Sequence, residues 1–205
     1  MSGRNDLTLD RRAVVATLLD SSGLDGSGLD GSGELLVVTS LGHATYDAAA
    51  AGDRKLNFYL WGAMGGTAMI GLGLALAQPR RRVLVLTGDG DMLMGLGSLA
   101  TIAAARAANL AIAVLDNAAF GETGAQASHT GLGTDLAAVA AACGWGATAT
   151  ASSMPEVAAL RPRLRREPLF AVIRISLAEV PRHLPPRDGA HLADRFRRAL
   201  GLPEA

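Results

Sequence analysis

Val83-Leu84-Val85-Leu86-Thr87-Gly88-Asp89-Gly90 and Ala111-Ile112-Ala113-Val114-Leu115-Asp116-Asn117 are the stretches whose reading decides the fold. Each begins with a run of strand length that is apolar at successive rather than alternate positions, the pattern of a strand buried on both faces. Each ends in residues that carry oxygen donors. The interval from Asp89 to Asn117 is 117 − 89 = 28 residues, the span of one strand-helix-strand unit. Such a unit sets Asp89 and Asn117 on neighbouring strand tips at one edge of a parallel sheet, where ligands of open α/β sheets bind.

Outward from this pair the same pattern repeats. Apolar runs at Glu34 to Thr39 and Leu169 to Ile175 read as further strands, with Ala147 to Ala151 a weaker one. Alanine-rich stretches at Thr67 to Ala77, Met92 to Ala107, Asp135 to Ala142 and Pro155 to Arg166 read as helices between them. This alternation predicts an α/β fold: right-handed crossovers, a parallel sheet and helices on both faces. At 205 residues and 49% hydrophobic content, one domain is expected. Residues 1–33 are set apart as a short helix, Arg11 to Leu19, and a flexible loop from Ser21 to Gly33 that contains Leu-Asp-Gly-Ser-Gly twice. Residues 34–205 form the domain proper.

Composition narrows the function classes. Nineteen Lys and Arg balance nineteen Asp and Glu, so the basic footprint of a nucleic-acid or anionic-membrane binder is missing. One cysteine, Cys143, excludes an intrachain disulfide and fits a reducing cytoplasm; it reads as a small buried residue near a helix end rather than a nucleophile. The start carries no signal-peptide pattern. Leu56 to Pro79 lacks charge, but Asn57, Gly65, Gly66, Thr67 and Gln78 suit a strand, a glycine loop and a buried helix better than a membrane span.

A carboxylate beside an amide oxygen suits Mg²⁺, a hard ion that completes its octahedron with phosphate and water. Gly88 and Gly90, flanking Asp89, let backbone approach a diphosphate. Gly-Asp-Gly followed at this interval by Asn resembles the signature of thiamine diphosphate (ThDP)-dependent enzymes. The family pattern ends in two asparagines; here Asp116 stands at the first, and Asn117 at the second, which is the metal ligand. The resemblance implies Mg²⁺ held by Asp89, Asn117 and the carbonyl of Ala119.

Other segments extend the resemblance, from about Glu34 to Ile175 and on through Pro185 to Gly189. Leu60-Trp61-Gly62-Ala63-Met64-Gly65-Gly66 looks like the loop that bends the cofactor, with Met64 between its rings and the Gly62 carbonyl accepting from the aminopyrimidine; core filling is the alternative for Met64. Ser40-Leu41-Gly42-His43-Ala44-Thr45 is similar to a segment that touches the diphosphate, so Gly42 and His43 join the binding set, although a solvated loop histidine is equally compatible. Asp91 belongs to the same set by position, yet an acid there is at odds with an anionic diphosphate.

Phe120-Gly121-Glu122-Thr123-Gly124-Ala125-Gln126 resembles the Thr-Gly-x-Gln segment of sulfopyruvate and phosphonopyruvate decarboxylases, adding Gly121 to the cofactor contacts. Glu122 and His129 are candidates for proton transfer at the reacting carbon, or solvated loop residues. Arginines at Arg161 to Arg166 and Arg195 to Arg198 read as solvated faces or a subunit contact rather than as a reader of phosphonate or sulfonate.

The resemblance implies a two-chain enzyme that decarboxylates a small 2-oxo acid to an aldehyde. The activating glutamate would come from a separate pyrimidine-binding (PYR) subunit in an α2β2 or higher heteromer. Alternatives are a ThDP-dependent carboligase or synthase subunit, and a non-catalytic ThDP-binding regulatory subunit. A nicotinamide-dependent oxidoreductase is weaker, since Gly71-Leu72-Gly73 lies inside a helical stretch.

Overall fold

The computed structural model describes residues 8–22 and 34–203. Its strands are β1 (Leu35–Thr39), β2 (Asn57–Tyr59), β3 (Arg82–Gly88), β4 (Leu110–Asp116), the short β5 (Ala119–Phe120) and β6 (Gln126–Ala127), β7 (Thr148–Ala151) and β8 (Phe170–Arg174). Six form one sheet in the order β2-β1-β3-β4-β8-β7, every neighbouring pair parallel, while β5 and β6 make an antiparallel hairpin. This is the α/β architecture expected, with β2 supplying the strand foreseen in the uncharged stretch.

The helices are α1 (Arg11–Leu19), α2 (His43–Ala50), α3 (Thr67–Ala77), α4 (Asp89–Met94), α5 (Ser98–Ala105), α6 (Leu136–Ala142), α7 (Met154–Arg166) and α8 (Gly189–Ala199). Alternate strand residues serve two cores. Leu84, Leu86, Ala113 and Leu115 face one that α1, α2 and α7 cover. Val83, Val85, Ile112 and Val114 face another that α3, α4, α5 and α6 cover. Both faces are therefore dry, which is why the strands are apolar at every position. Among the described residues no helix is long and apolar enough to cross a membrane.

Three local expectations change. Met92 to Ala107, expected as one helix, breaks into α4 and α5, with Gly95 capping α4 and Gly97 preceding α5. Ser40 to Thr45, expected as loop, is helical from His43 onward. Two of the α7 arginines, expected on a solvated face or at a subunit contact, are taken up within the chain: Arg161 pairs with Asp20 at 2.7 Å, and the buried Arg165 donates to the carbonyls of Leu18, Leu19 and Asp20. These are carbonyls left without intrahelical partners at the end of α1. Arg163 and Arg166 lie at the surface as expected. Val14, Val15 and Leu18 bury the same helix in the first core. Of the loop expected from Ser21 to Gly33, residues 23–33 lie outside the described residues. Cys143 caps α6, half-buried.

Candidate functional site

Parallel pairing of β3 with β4, in a register that matches Gly88 to Leu115, brings their carboxyl ends side by side. Asp89 opens α4 directly after β3, and Asn117 follows the last residue of β4. Between them opens a cavity of about 220 Å³. His43, Met64, Gly88, Asp89, Gly90, Asp91, Asn117, Ala119, Gly121 and Glu122 all line it. Gly42, Gly62, Ala63 and His129 are not among its lining residues. His129 is exposed and sets its ring edge-on to Phe120, 6.4 Å between centroids.

Gly90 is a glycine for steric reasons. A Cβ there would meet the Phe120 ring at 2.9 Å, so no side chain fits between α4 and the β5–β6 hairpin. That hairpin is tied at its tip, where the Thr123 hydroxyl donates to Gln126 Oε1 at 3.0 Å and Gln126 Nε2 donates to the Thr123 carbonyl at 2.9 Å. Thr-Gly-x-Gln is thus a turn that closes on itself and presents Gly121 and Glu122 to the cavity.

The charges are laid out asymmetrically. Asp89 is 2% exposed; its Oδ2 accepts from the Ser128 hydroxyl at 2.5 Å and lies 3.2 Å from the Thr130 hydroxyl oxygen. Among the described residues no Lys, Arg or His forms an ion pair with it. Burial pushes its carboxyl up to about 6, opposed by the Ser128 hydrogen bond and reinforced by the charge of Asp116. Asp116, equally buried, is compensated: it accepts from Arg174, from the Thr130 hydroxyl at 2.7 Å and from the Ala118 N–H at 2.9 Å.

Asn117 accepts the Ala119 N–H at 3.0 Å, which turns its side chain back over the strand tip and leaves a second lone pair on Oδ1. His43 is the first residue of α2, with Nε2 at 3.8 Å from Glu122 Oε1. Burial, followed by the charges of Arg11 and Arg182, pushes its imidazole down to about 4. At neutral pH it is uncharged and has one N–H to donate. Glu122 also lies 3.8 Å from Arg182.

Arg174, Ser128 and Thr130 belong to this network, as does Thr87, whose hydroxyl donates to Asp91, and the sequence reading passes over all four. Only Arg174 leaves a signal there, a cation inside the otherwise apolar run from Leu169 to Ile175.

Residues 39–175 match the family model described as "Thiamine pyrophosphate enzyme, C-terminal TPP binding domain". The chain belongs to this family. Over 121 residues it is 41% identical to the sulfopyruvate decarboxylase subunit beta of Methanocaldococcus jannaschii, a match covering 59% of this chain and 63% of that one. It is 44% identical over 121 residues to the phosphonopyruvate decarboxylase of Streptomyces viridochromogenes, covering 59% of this chain and 30% of that one. The chain thus spans less than two thirds of the length of these relatives.

The same fold recurs in benzoylformate decarboxylase from Polynucleobacter necessarius, with a TM-score of 0.68 and 16% identity over 88% of this chain and 36% of that chain. It recurs also in 2-oxoglutarate:ferredoxin oxidoreductase from Magnetococcus marinus, with a TM-score of 0.61 and 15% identity over 95% of this chain and 77% of that chain.

For a TPP binding domain, the strand-tip chemistry fits a hard divalent cation: a buried carboxylate with no counter-charge among the described residues and an amide oxygen, with Ala119 beside them in the cavity lining. Among the described residues no group of three or more His, Cys, Asp or Glu side chains is suited to hold a metal. Oxygens from a bound diphosphate and water would have to complete the shell of such an ion.

Proposed function

We propose that this chain is the diphosphate- and Mg²⁺-binding subunit of a two-chain, ThDP-dependent 2-oxo acid decarboxylase that releases CO₂ and an aldehyde. The observation that carries the reading is Asp89, a buried carboxylate that no cationic side chain among the described residues pairs with, beside Asn117 at adjacent strand tips in a cavity that Met64 also lines. The identity to relatives named sulfopyruvate and phosphonopyruvate decarboxylase supports the reaction class. The name "subunit beta" borne by one of them supports a partner chain, here a PYR-domain subunit that brings the activating glutamate.

In this reading Asp89, Asn117 and the Ala119 carbonyl hold Mg²⁺. Gly88, Gly90 and Gly121 let the backbone close on the diphosphate, and Gly42 and His43 add donors at the start of α2. Neutral His43 donates a hydrogen bond and adds no positive charge. Gly62, Ala63 and Met64 orient the rings, and the apolar wall at Met64, Leu115, Phe120 and Ile175 excludes water. The bound cofactor supplies the nucleophilic carbon and the electron sink that decarboxylation requires. Of the two acid-base candidates, Glu122 is favoured over His129, because it lines the cavity and His129 does not. The substrate class is a small 2-oxo acid with an anionic tail, and the compartment is the cytoplasm.

The test is turnover. The chain purified with its native partner should release CO₂ from sulfopyruvate or phosphonopyruvate only when Mg²⁺ and ThDP are present. Retention of ThDP without turnover of any 2-oxo acid would instead make the chain a non-catalytic binder.

A further inference from the structure

Asp91 is the residue that the cofactor reading accommodates least well. Asp89 and Asp91 share the first turn of α4 but stand two residues apart, so their side chains leave the helix in different directions. Asp89 turns to Ser128 and Thr130. Asp91 turns to the Leu60–Gly66 loop: its Oδ1 accepts the Gly65 N–H at 2.7 Å, and its Oδ2 accepts the Thr87 hydroxyl. The side chain is buried, and each carboxylate oxygen already has a donor from the protein.

That loop needs holding. Ala63 and Gly65, on either side of Met64, have φ of 57° and 85°, in the left-handed region that an alanine occupies only under constraint. A turn from the Gly66 N–H to the Ala63 carbonyl, 2.9 Å, closes it locally. The far end of α4 completes the cradle: a Cβ on Gly95 would come within 2.1 Å of the Gly65 carbonyl oxygen, so backbone packs on backbone there. Gly65 is therefore gripped from both ends of α4, and Met64 projects from the gripped segment, 41% exposed.

We infer that Asp91 is a positioning residue, not a ligand of the diphosphate: it clamps the loop through the Gly65 N–H and so fixes where Met64 stands beside the cofactor. The inference about Met64 rests on the ThDP reading above; the clamp itself does not. It also accounts for an acid close to a diphosphate, since the carboxylate is spent on Thr87 and Gly65.

The experiment compares Asp91→Ser and Asp91→Asn with the parent chain by hydrogen exchange, with and without Mg²⁺ and ThDP. Asn keeps an acceptor for the Gly65 N–H, and Ser is too short to reach it. Exchange across 60–67 should rise about tenfold in D91S, stay near the parent in D91N, and be unchanged in β4 and β8 of both. In the assembled enzyme D91S should lower kcat about tenfold while cofactor retention changes less than about threefold.

Unchanged exchange at 60–67 in D91S overturns the inference. So does loss of ThDP retention in D91S without any change in exchange, which would make Asp91 a cofactor contact. If D91S does not fold, Thr87→Val carries the test, since it removes one of the two bonds that aim the carboxylate; faster exchange at 60–67 supports the clamp and parental exchange contradicts it. If the parent retains no ThDP, the proposed function fails, and exchange in the free chain still decides the clamp.

Discussion

Arg174, the last residue of β8, donates to Asp116 at the tip of β4, and the two stand opposite each other in the parallel register. The pair matters because Asp116 replaces the first asparagine of the family signature and is fully buried, while Arg174 is partly exposed. Arg174→Met should destabilise the chain by about 2 kcal/mol, the value of a hydrogen bond to a charged group. Adding Asp116→Asn should recover part of that loss, since position 116 then holds no buried charge deprived of its arginine. Urea unfolding of the four proteins in the cycle checks this, and strict additivity would show that the two residues are not coupled.

Asp89 has the opposite problem, a buried charge that no cationic side chain among the described residues pairs with. Asp89→Asn should leave the cofactor-free chain as stable as the parent or more so, because the asparagine costs less to bury beside Asp116. Ligand stabilisation should suffer. Mg²⁺ and ThDP at a hundred times Kd raise parental stability by about 2.7 kcal/mol, and D89N should lose most of that gain. Thermal unfolding with and without the ligands measures both effects; equal stabilisation of the two proteins would remove Asp89 from the metal site.

His43 links stability to pH. Its folded value, pushed down to about 4 by burial, lies below the ordinary 6.5 even though Glu122 is 3.8 Å away. Well above pH 6.5 the ring is neutral whether the chain is folded or not, and the contribution is constant. As pH falls from 6.5 towards 4, the unfolded chain takes up a proton that the folded chain refuses, so stability drops across that window. Denaturant midpoints measured through this range should fall less steeply in His43→Asn than in the parent. Identical slopes would mean that His43 titrates normally when folded.

The Thr123–Gln126 lock is exposed, and its effect should be local. Gln126→Ala should change global stability by under about 0.5 kcal/mol, as surface substitutions do. Hydrogen exchange across 120–127 should nevertheless accelerate, because the hairpin tip loses both side-chain bonds. No change in exchange would show that Gly90 packing on Phe120 is enough to hold the turn.

The sheet was legible because β3, β4 and β8 are buried on both faces and so are apolar at every position. The neighbouring tips of Asp89 and Asn117 follow from a crossover whose length the sequence displays directly. The break between α4 and α5 was not visible, since Met92 to Met94 before it and the alanine-rich Ser98 to Ala105 after it both favour helix, and Gly95 stops the first for a tertiary reason, its contact with Gly65. The polar support of the site was hidden for a similar reason. Ser128 and Thr130 reach Asp89 across 39 and 41 residues, and Asp91 reaches a backbone amide 26 residues away, pairings that no local pattern announces. Arg174 could have been suspected as a cation in an apolar strand, but its partner is set only by strand register.

Native mass spectrometry of the assembly isolated with Mg²⁺ and ThDP is the direct test of a shared metal and cofactor site at Asp89. It should reveal this chain together with a second, PYR-domain chain, carrying ThDP and Mg²⁺ in equal numbers, with both lost together in Asp89→Ala. An assembly that binds neither, or that keeps both in D89A, would contradict that shared site.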